Sequence, residues 1–271
     1  MRSPVLNVMA NAALKAARGL IRDFGEVEQL QVSIKGPGDF VSTADLKAER
    51  TLKAELMRAR PGYGSLFEES GAEPGTDPRH RWIVDPLDGT LNFLHGIPHF
   101  AISIALERDG EIVAGLVYEP TRDEMYSAEK GLGAYVNDRR LRVSARRQLG
   151  DAVIGTGMPF AGRAGQPADL AALASVAAAT SGVRRMGAAA LDLAYVAAGR
   201  LDGFWEFGLA PWDIAAGLLL VREAGGYVSD FAGGRAMMTS GDVLAANDHL
   251  HLPLAALIKE ALRNVPTQRE A

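Results

Sequence analysis

Residues 82–90 read Trp82-Ile83-Val84-Asp85-Pro86-Leu87-Asp88-Gly89-Thr90, and this stretch tells most about both the fold and the chemistry. The apolar run at 82–84 predicts a buried strand, after which Pro86 restricts the backbone and Gly89 permits a tight turn. Two carboxylates therefore follow the carboxyl end of a strand, where α/β proteins place their ligands. Asp85 could bridge two Mg²⁺ ions and Asp88 could bind one, with the Leu87 carbonyl as a further oxygen ligand. A solvated turn with an Asp cap is the alternative for such a short pattern.

Three other acidic positions could complete an oxygen-ligand cluster. Glu68 and Glu69 follow a short predicted strand, and only one of these adjacent side chains is expected to face the site. Asp45 lies in the first turn of a predicted second helix, and Asp213 lies at the start of a later one. Both helix positions also favour acidic residues for capping or for the helix dipole. The residues alone leave capping and ligation open for Asp45 and Asp213.

The pattern of predicted elements changes near residues 140–150. Before it, two helices, a turn at 36–39 and short strands lead into an antiparallel meander that begins with strands at 100–107 and 112–118. After it, strands and helices alternate up to a last helix at 252–263. We therefore expect an α/β (α+β) layered sandwich with two halves, 1–145 and 146–271, that share an extensive interface.

Composition excludes several classes of protein. The 271 residues include no Cys, so disulfides, thiol catalysis and cysteine zinc sites are excluded. The 29 basic and 33 acidic residues give a net charge of −4, which predicts neither strong direct nucleic-acid binding nor an anionic-membrane partner. Apolar residues at helical spacing over 6–24 predict an amphipathic first helix rather than a signal peptide. These features favour a cytoplasmic protein.

Three other motifs do not meet the requirements of the sites that they suggest. The two aspartates of residues 85–88 are one residue too far apart for a haloacid-dehalogenase-type phosphatase, which uses Asp-x-Asp. Pro98 lies between His95 and His99, so this pair does not share a helix face as zinc ligands. The glycines of residues 131–136 lack the third glycine of a dinucleotide fingerprint and predict a hairpin turn.

Longer motifs identify a family by resemblance. Residues 82–98 resemble the first signature of the inositol monophosphatase family, and residues 212–217, continuing to 226, resemble its second. Residues 40–45 and 68–71 match two shorter family motifs in the expected order, and residues 184–195 are similar to the bacterial SuhB-type branch. The resemblance covers nearly the whole chain.

The resemblance implies a fold, a cofactor and a partner. The fold would be a five-layered αβαβα sandwich like that of fructose-1,6-bisphosphatase. The activity would be that of a Mg²⁺-dependent, lithium-sensitive phosphomonoesterase with two to three ions per active site, acting on a small-molecule phosphate monoester through a metal-activated water. A homodimer is expected, through the region of Arg184 and Arg185.

The resemblance also implies a role for each site residue. The first Mg²⁺ would be held by Glu68, Asp85 and the Leu87 carbonyl, and the second by Asp85, Asp88 and Asp213. Glu68, with Asp45 nearby, would serve a third, weaker ion. Thr90 and Asp45 would position the attacking water, and Gly89 and Thr90 would offer backbone amides to the phosphate. The positions that bind polyol hydroxyls in the family are Asp88, Gly187, Ala189, Glu206 and Asp213.

The expected substrate is myo-inositol 1-phosphate or a related polyol or sugar monophosphate. Within the superfamily, the alternatives are a 3′(2′),5′-bisphosphate nucleotidase, a fructose-1,6-bisphosphatase, an NADP phosphatase and a histidinol phosphatase. Glu206 favours a small polyol, because a carboxylate accepts hydroxyl hydrogen bonds and repels a second phosphate. An alternative of another class is a regulatory protein that binds the transcription machinery, as SuhB-type relatives suggest.

Overall fold

The computed structural model describes residues 3–26, 32–36, 39–158 and 166–263. Over these ranges the chain forms eight α-helices and fifteen strands in five layers of helix, sheet, helix, sheet and helix. The helices are α1 (Pro4–Phe24), α2 (Thr43–Ala59), α3 (Thr90–Leu94), α4 (Gln166–Ala179), α5 (Ala189–Ala197), α6 (Pro211–Glu223), α7 (Met237–Ser240) and α8 (His251–Arg263). The strands are β1 (Val32–Gly36), β2 (Asp39–Ser42), β3 (Tyr63–Phe67), β4 (Gly71–Glu73), β5 (Asp77–Asp88), β6 (Ala101–Arg108), β7 (Glu111–Glu119), β8 (Glu124–Glu129), β9 (Gly133–Val136), β10 (Arg139–Arg140), β11 (Val153–Thr156), β12 (Gly182–Arg184), β13 (Gly203–Glu206), β14 (Tyr227–Ser229) and β15 (Val243–Ala246). The predicted αβαβα sandwich is confirmed.

Helices α1 and α2 form the first outer layer. Ser3 caps α1 by accepting a hydrogen bond from the Leu6 N–H, and Pro4 fits the first helical turn because its missing N–H would have no partner there. The predicted apolar stripe of α1 is buried at Leu6, Met9 and Leu20. This stripe packs with α2 against one face of the larger sheet and closes the first hydrophobic core.

The larger sheet has eight strands in the order β10-β9-β8-β7-β6-β5-β3-β4. Its neighbours are antiparallel except for β3 and β5, which run parallel. Because they are parallel, the carboxyl ends of β3 and β5 lie at the same edge of the sheet, and this brings Glu68 close to the end of β5.

Helices α5 and α6 form the central layer between the two sheets. The smaller sheet has the order β12-β11-β13-β15-β14, with β11 parallel to both β12 and β13 and with β15 antiparallel to β13 and β14. Helices α4 and α8 cover its outer face. The central helices are apolar around most of their surface because both sheets bury them, and the second core of the protein forms there.

The structure extends the sequence predictions at two places. Strand β5 begins at Asp77, five residues before the predicted apolar run, and none of these first five residues is buried. A hairpin of β1 and β2 precedes α2 and was not predicted; the predicted turn between these strands includes residues 37–38, which lie outside the described ranges. The division into halves at 145/146 stays a prediction.

Across the described ranges, no helix has both the length and the apolar character that a membrane-spanning helix needs.

Candidate active site

The end of β5 sets the position of the central carboxylates. Asp85 lies opposite Ser103 of β6, whereas Asp88 lies opposite Ala101, so the register shifts by one residue between them. This bulge bends the strand and re-aims its side chains. The Asp85 carboxylate accepts a hydrogen bond from the Leu87 N–H at 2.8 Å, which fixes the turn from within.

Gly89 ends this turn with a φ of 91°, a left-handed conformation that glycine adopts without strain. A Cβ at this position would lie 3.0 Å from the His99 carbonyl oxygen. Glycine therefore permits both the turn and the close approach of the chain that follows α3.

Asp45 performs a capping role and also contacts the site. Its Oδ2 accepts hydrogen bonds from the N–H of Ser42 at 2.9 Å and from the Ser42 hydroxyl at 2.5 Å, which completes a capping box on α2. The Thr90 hydroxyl oxygen lies 2.9 Å from Asp45 Oδ1 and 3.0 Å from the Leu87 carbonyl oxygen. Thus the two interpretations of Asp45 are compatible, because each carboxylate oxygen has its own partner.

A cavity of about 290 Å³ opens at the end of β5. Ten of the eleven predicted site residues line it, and the eleventh, Asp45, touches it through Thr90. The lining residues from the first half are Glu68, Asp85, Leu87, Asp88, Gly89 and Thr90, and those from the second half are Gly187, Ala189, Glu206 and Asp213. Of the two adjacent glutamates only Glu68 lines the cavity, while the Glu69 N–H donates to Glu49, 2.8 Å away.

The carboxylates of this cavity oppose one another's ionisation. Burial raises the pKa of Asp85 well above its ordinary value, and the charge of Glu68 adds to the increase. Burial likewise raises the pKa of Asp88, and there the charge of Asp213 is the largest further cause. The charged forms of these carboxylates are thus disfavoured in the protein alone, and a bound cation would stabilise them.

The donor set suits Mg²⁺. In the described ranges, acidic and histidine side chains do not form a ready-made cage of three or more around one point. Mg²⁺ does not require one, because it keeps several waters and binds through a small number of carboxylates together with substrate phosphate oxygens. Buried carboxylates beside the Leu87 carbonyl and an open cavity match that preference.

The second half closes the cavity through helix N-termini. Asp213 Oδ2 accepts the Ala210 N–H at 2.8 Å at the start of α6, so Asp213 also combines capping with a place in the cavity. Asp88 Oδ2 accepts the Ala190 N–H at 2.8 Å at the start of α5. One carboxylate from the β5 turn therefore anchors a helix of the opposite half.

Glu206 packs directly against the backbone of a neighbouring strand end. A Cβ added at Gly157, just after β11, would lie 1.8 Å from Glu206 Oε1. Gly157 therefore leaves the space that the Glu206 carboxylate occupies. Sequence reasoning missed Gly157, although its place two residues after a strand predicted at 152–155 was a usable signal.

Two other residues of this region were not predicted for the site. Arg185, predicted only for a dimer contact, lines the cavity with its exposed side chain and supplies a positive charge. Asp192 of α5 is fully buried, and neither of its carboxylate oxygens has a hydrogen-bond partner among the residues that the structure describes. Burial raises its pKa well above the ordinary value, with Glu206 and Asp88 adding to the increase.

Comparisons with known proteins find relatives along nearly the whole chain. The model of the inositol monophosphatase family matches residues 1–265. The inositol-1-monophosphatase of Mesorhizobium japonicum is 63% identical over 261 residues, which cover 96% of this chain and 98% of that protein. The Nus factor SuhB of Pseudomonas aeruginosa is 44% identical over 96% of this chain and 97% of its own length.

Solved structures give the same result. The crystal structure of the extragenic suppressor protein suhB from Bartonella henselae has a TM-score of 0.93 at 57% identity, covering 95% of this chain and 99% of that one. The Thermotoga maritima IMPase has a TM-score of 0.89 at 34% identity, covering 97% and 100% of the two chains. With its fold, its acidic cavity and both family signatures in place, this chain belongs to the inositol monophosphatase family and is a phosphatase.

Proposed function

We propose that this protein is a Mg²⁺-dependent phosphomonoesterase that hydrolyses myo-inositol 1-phosphate, and related polyol or sugar monophosphates, to the alcohol and inorganic phosphate. The observation that carries the proposal is the cavity itself, in which four carboxylates and Thr90 face Glu206 and Gly187. The first group suits cations and a phosphate, and the second suits hydroxyl groups. The relatives named inositol-1-monophosphatase support the choice of substrate.

The metal ligands are assigned by residue type and place. Glu68, Asp85 and the Leu87 carbonyl would hold one Mg²⁺, and Asp85, Asp88 and Asp213 a second. Glu68 with Asp45 nearby would serve a third, weaker ion. When bound, these ions supply neutralisation of phosphate charge, acidification of a water and stabilisation of the leaving alkoxide.

Thr90 and Asp45 orient the attacking water in this proposal. When the Thr90 hydroxyl donates its proton to Asp45 Oδ1, 2.9 Å away, its oxygen lone pairs are free to accept a hydrogen bond from water. The water oxygen then bonds to phosphorus in line with the ester oxygen, whose bond to phosphorus breaks. One proton of the attacking water ends on the departing alkoxide, which leaves as the alcohol, and the other stays on the inorganic phosphate. No phosphoenzyme forms.

Glu206 selects the alcohol part of the substrate. Its carboxylate is the acceptor for polyol hydroxyls, and its negative charge disfavours a second phosphate group. A bisphosphate nucleotide or fructose 1,6-bisphosphate is therefore a poorer substrate in this proposal. The Gly187 and Ala189 positions also line the cavity.

A substrate panel tests the proposed substrate class. Phosphate release is measured with Mg²⁺ from inositol 1-phosphate, a 3′,5′-bisphosphate nucleotide, fructose 1,6-bisphosphate, NADP and histidinol phosphate. The proposal predicts the highest kcat/KM for inositol 1-phosphate. A clear preference for a bisphosphate would reject the role given to Glu206 and leave the phosphatase assignment in place.

The homodimer remains a proposal. Arg184 and Arg185 are both exposed, so they are available for a contact with a second copy of the chain. Light scattering of the purified protein should give twice the chain mass of 28.8 kDa. A mass of one chain at micromolar concentration would reject the dimer. Two further properties likewise stay predictions: the cytoplasmic location, which composition and the first helix favour, and inhibition by lithium, which the resemblance implies.

A second candidate function is a regulatory contact with the transcription machinery. Relatives at 41–46% identity carry the name Nus factor SuhB or putative Nus factor SuhB, and the resemblance extends over at least 90% of this chain. The catalytically inactive variant Asp88→Asn separates the two functions. Cells in which that variant replaces the wild-type protein without a phenotype would favour the regulatory function, whereas a phenotype equal to gene deletion would favour the phosphatase.

A further inference from the structure

Asn92 joins the two halves of the protein beside the cavity. It lies on α3, two residues after Thr90, and only 6% of its surface is exposed. Its side-chain nitrogen is 2.9 Å from the His99 carbonyl oxygen and 2.8 Å from that of Met186, and it lies 3.5 Å from the Gly187 carbonyl. The amide has two N–H groups, so one donates within its own segment and the other to a residue 94 positions later.

We propose that Asn92 is a positioning residue that holds the loop of Met186 and Gly187 in place and thereby sets how tightly the alcohol part of the substrate binds. The inference rests on the proposed phosphatase function. It assigns to Asn92 no contact with substrate and no part in the chemical step.

The start of α5 needs such support from outside. Its N-cap position is Ala188, whose side chain makes no capping hydrogen bond. The loop before α5 is therefore located by two bonds from the first half: Asp88 accepts the Ala190 N–H, and the Asn92 amide donates to the Met186 carbonyl. Loss of the second bond would free Met186 and Gly187 while Asp88 still anchors the helix.

The residues expected to hold the phosphate and the metal ions are fixed by bonds that do not involve the Asn92 amide. Thr90 is held by Asp45 and the Leu87 carbonyl, and Asp85 is held by the Leu87 N–H. All of these partners precede Asn92 in the chain. The expected consequence of losing the Asn92 amide is therefore weaker recognition of the polyol with the phosphate and metal positions retained.

Two substrates separate the effects on the two sides. Inositol 1-phosphate uses both sides of the cavity, whereas p-nitrophenyl phosphate has no hydroxyl groups for the Gly187 side. For Asn92→Ala we expect kcat/KM for inositol 1-phosphate to fall about tenfold, mainly through KM, since uniform binding is lost. For p-nitrophenyl phosphate we expect a change of less than about twofold.

Asn247 provides the matched control. It is 1% exposed, and its side-chain nitrogen donates to the Ser144 and Arg146 carbonyls at 2.9 Å each, outside the residues that line the cavity. Asn247→Ala thus removes a buried amide of the same kind away from the cavity, and it should change kcat/KM equally for both substrates. Thermal unfolding of both variants records the loss of stability. Should Asn92→Ala not fold, Asn92→Asp, which keeps the size and removes the donors, enters the same comparison.

The outcomes are distinct. A selective rise in KM for inositol 1-phosphate in the Asn92 variant, absent from the Asn247 variant, supports the proposal. An equal change in kcat/KM for both substrates in the Asn92 variant, or no change for either, overturns it. In that case turnover by the wild type would still support the phosphatase function. A wild-type enzyme that releases phosphate from neither substrate with Mg²⁺ would overturn the proposed function itself.

Discussion

Replacing Asp192 by asparagine should make the metal-free protein more stable at neutral pH. Asp192 is fully buried in α5, both of its carboxylate oxygens lack partners in the described part of the chain, and the charges of Glu206 and Asp88 oppose its ionisation. Leaving a buried polar group unpaired costs about 1–3 kcal/mol. The asparagine amide would be unpaired as well, so the substitution relieves only part of this cost. We take the gain in the free energy of unfolding as about 1–2 kcal/mol, which corresponds to a rise in Tm of roughly 2–8 °C for a protein of this size.

The pH dependence of this effect has a definite sign. Burial raises the pKa of Asp192 in the folded state above 3.8, its ordinary value. Below that pH the carboxyl is protonated in both states and costs little, and above it the folded state resists ionisation while the unfolded state ionises. Wild-type stability therefore loses this contribution as the pH rises from about 4 towards the folded pKa. The advantage of Asp192→Asn should be smallest near pH 4 and largest at neutral pH.

Asp202 supplies the control for this experiment. It is 3% exposed, but its Oδ2 accepts the Val153 N–H at 2.8 Å and its Oδ1 lies 3.3 Å from the Arg146 guanidinium. Asp202→Asn should lower the Tm, because it weakens a satisfied pair. Thermal unfolding of both variants in chelator at pH 4, 5.5 and 7 is the assay. A lower Tm for Asp192→Asn at pH 7, or a difference that does not grow with pH, would refute the reasoning.

Three other predictions concern single side chains. Thr90→Val should lower kcat by about a hundredfold in steady-state kinetics with unfolding unchanged, because it removes the hydroxyl that orients water; a normal kcat would exclude that role. Glu206→Gln should raise KM for inositol 1-phosphate and improve kcat/KM for a bisphosphate, since the repelling charge is lost, and an unchanged ratio of the two substrates would contradict it. Arg200→Met should lower the Tm at pH 7, because Arg200 binds Glu124 at 2.6 and 2.7 Å and holds the pKa of that glutamate at about 2. The stabilisation by this ion pair is complete above pH 4.5 and is lost as the pH falls towards 2. If the Tm difference between Arg200→Met and wild type does not shrink when calorimetry is repeated at pH 3, the ion pair is not its cause.

Sequence reasoning found the parts of the site that are encoded locally. The strand, the turn and the two aspartates of residues 82–90 lie within nine residues, so their spacing already places the carboxylates at a strand end. It could not decide between capping and ligation for Asp45 and Asp213. Asp45 accepts the Ser42 N–H on Oδ2 and the Thr90 hydroxyl on Oδ1, and Asp213 accepts the Ala210 N–H while it lines the cavity. That answer depends on where β5 lies relative to α2 and α6.

The features that the sequence did not reveal are long-range or depend on exposure. None of the first five residues of β5 is buried, so the apolar pattern shows only the buried end of the strand. The bond from Asn92 to Met186 joins positions 94 residues apart, and no local pattern indicates such a pair. Asp192 lies in a short motif that matches the family, but its lack of partners becomes visible only when the surrounding side chains are in place.

The central claim is that the carboxylates at the end of β5 bind the Mg²⁺ on which phosphate release depends. The most direct measurement is phosphate release from inositol 1-phosphate during a titration of Mg²⁺ into chelated protein, with wild type and Asp88→Asn side by side. Turnover should be absent without Mg²⁺, should rise and saturate for the wild type, and should stay at background for the folded variant. Turnover in chelator, or near-wild-type activity of Asp88→Asn, would contradict the claim.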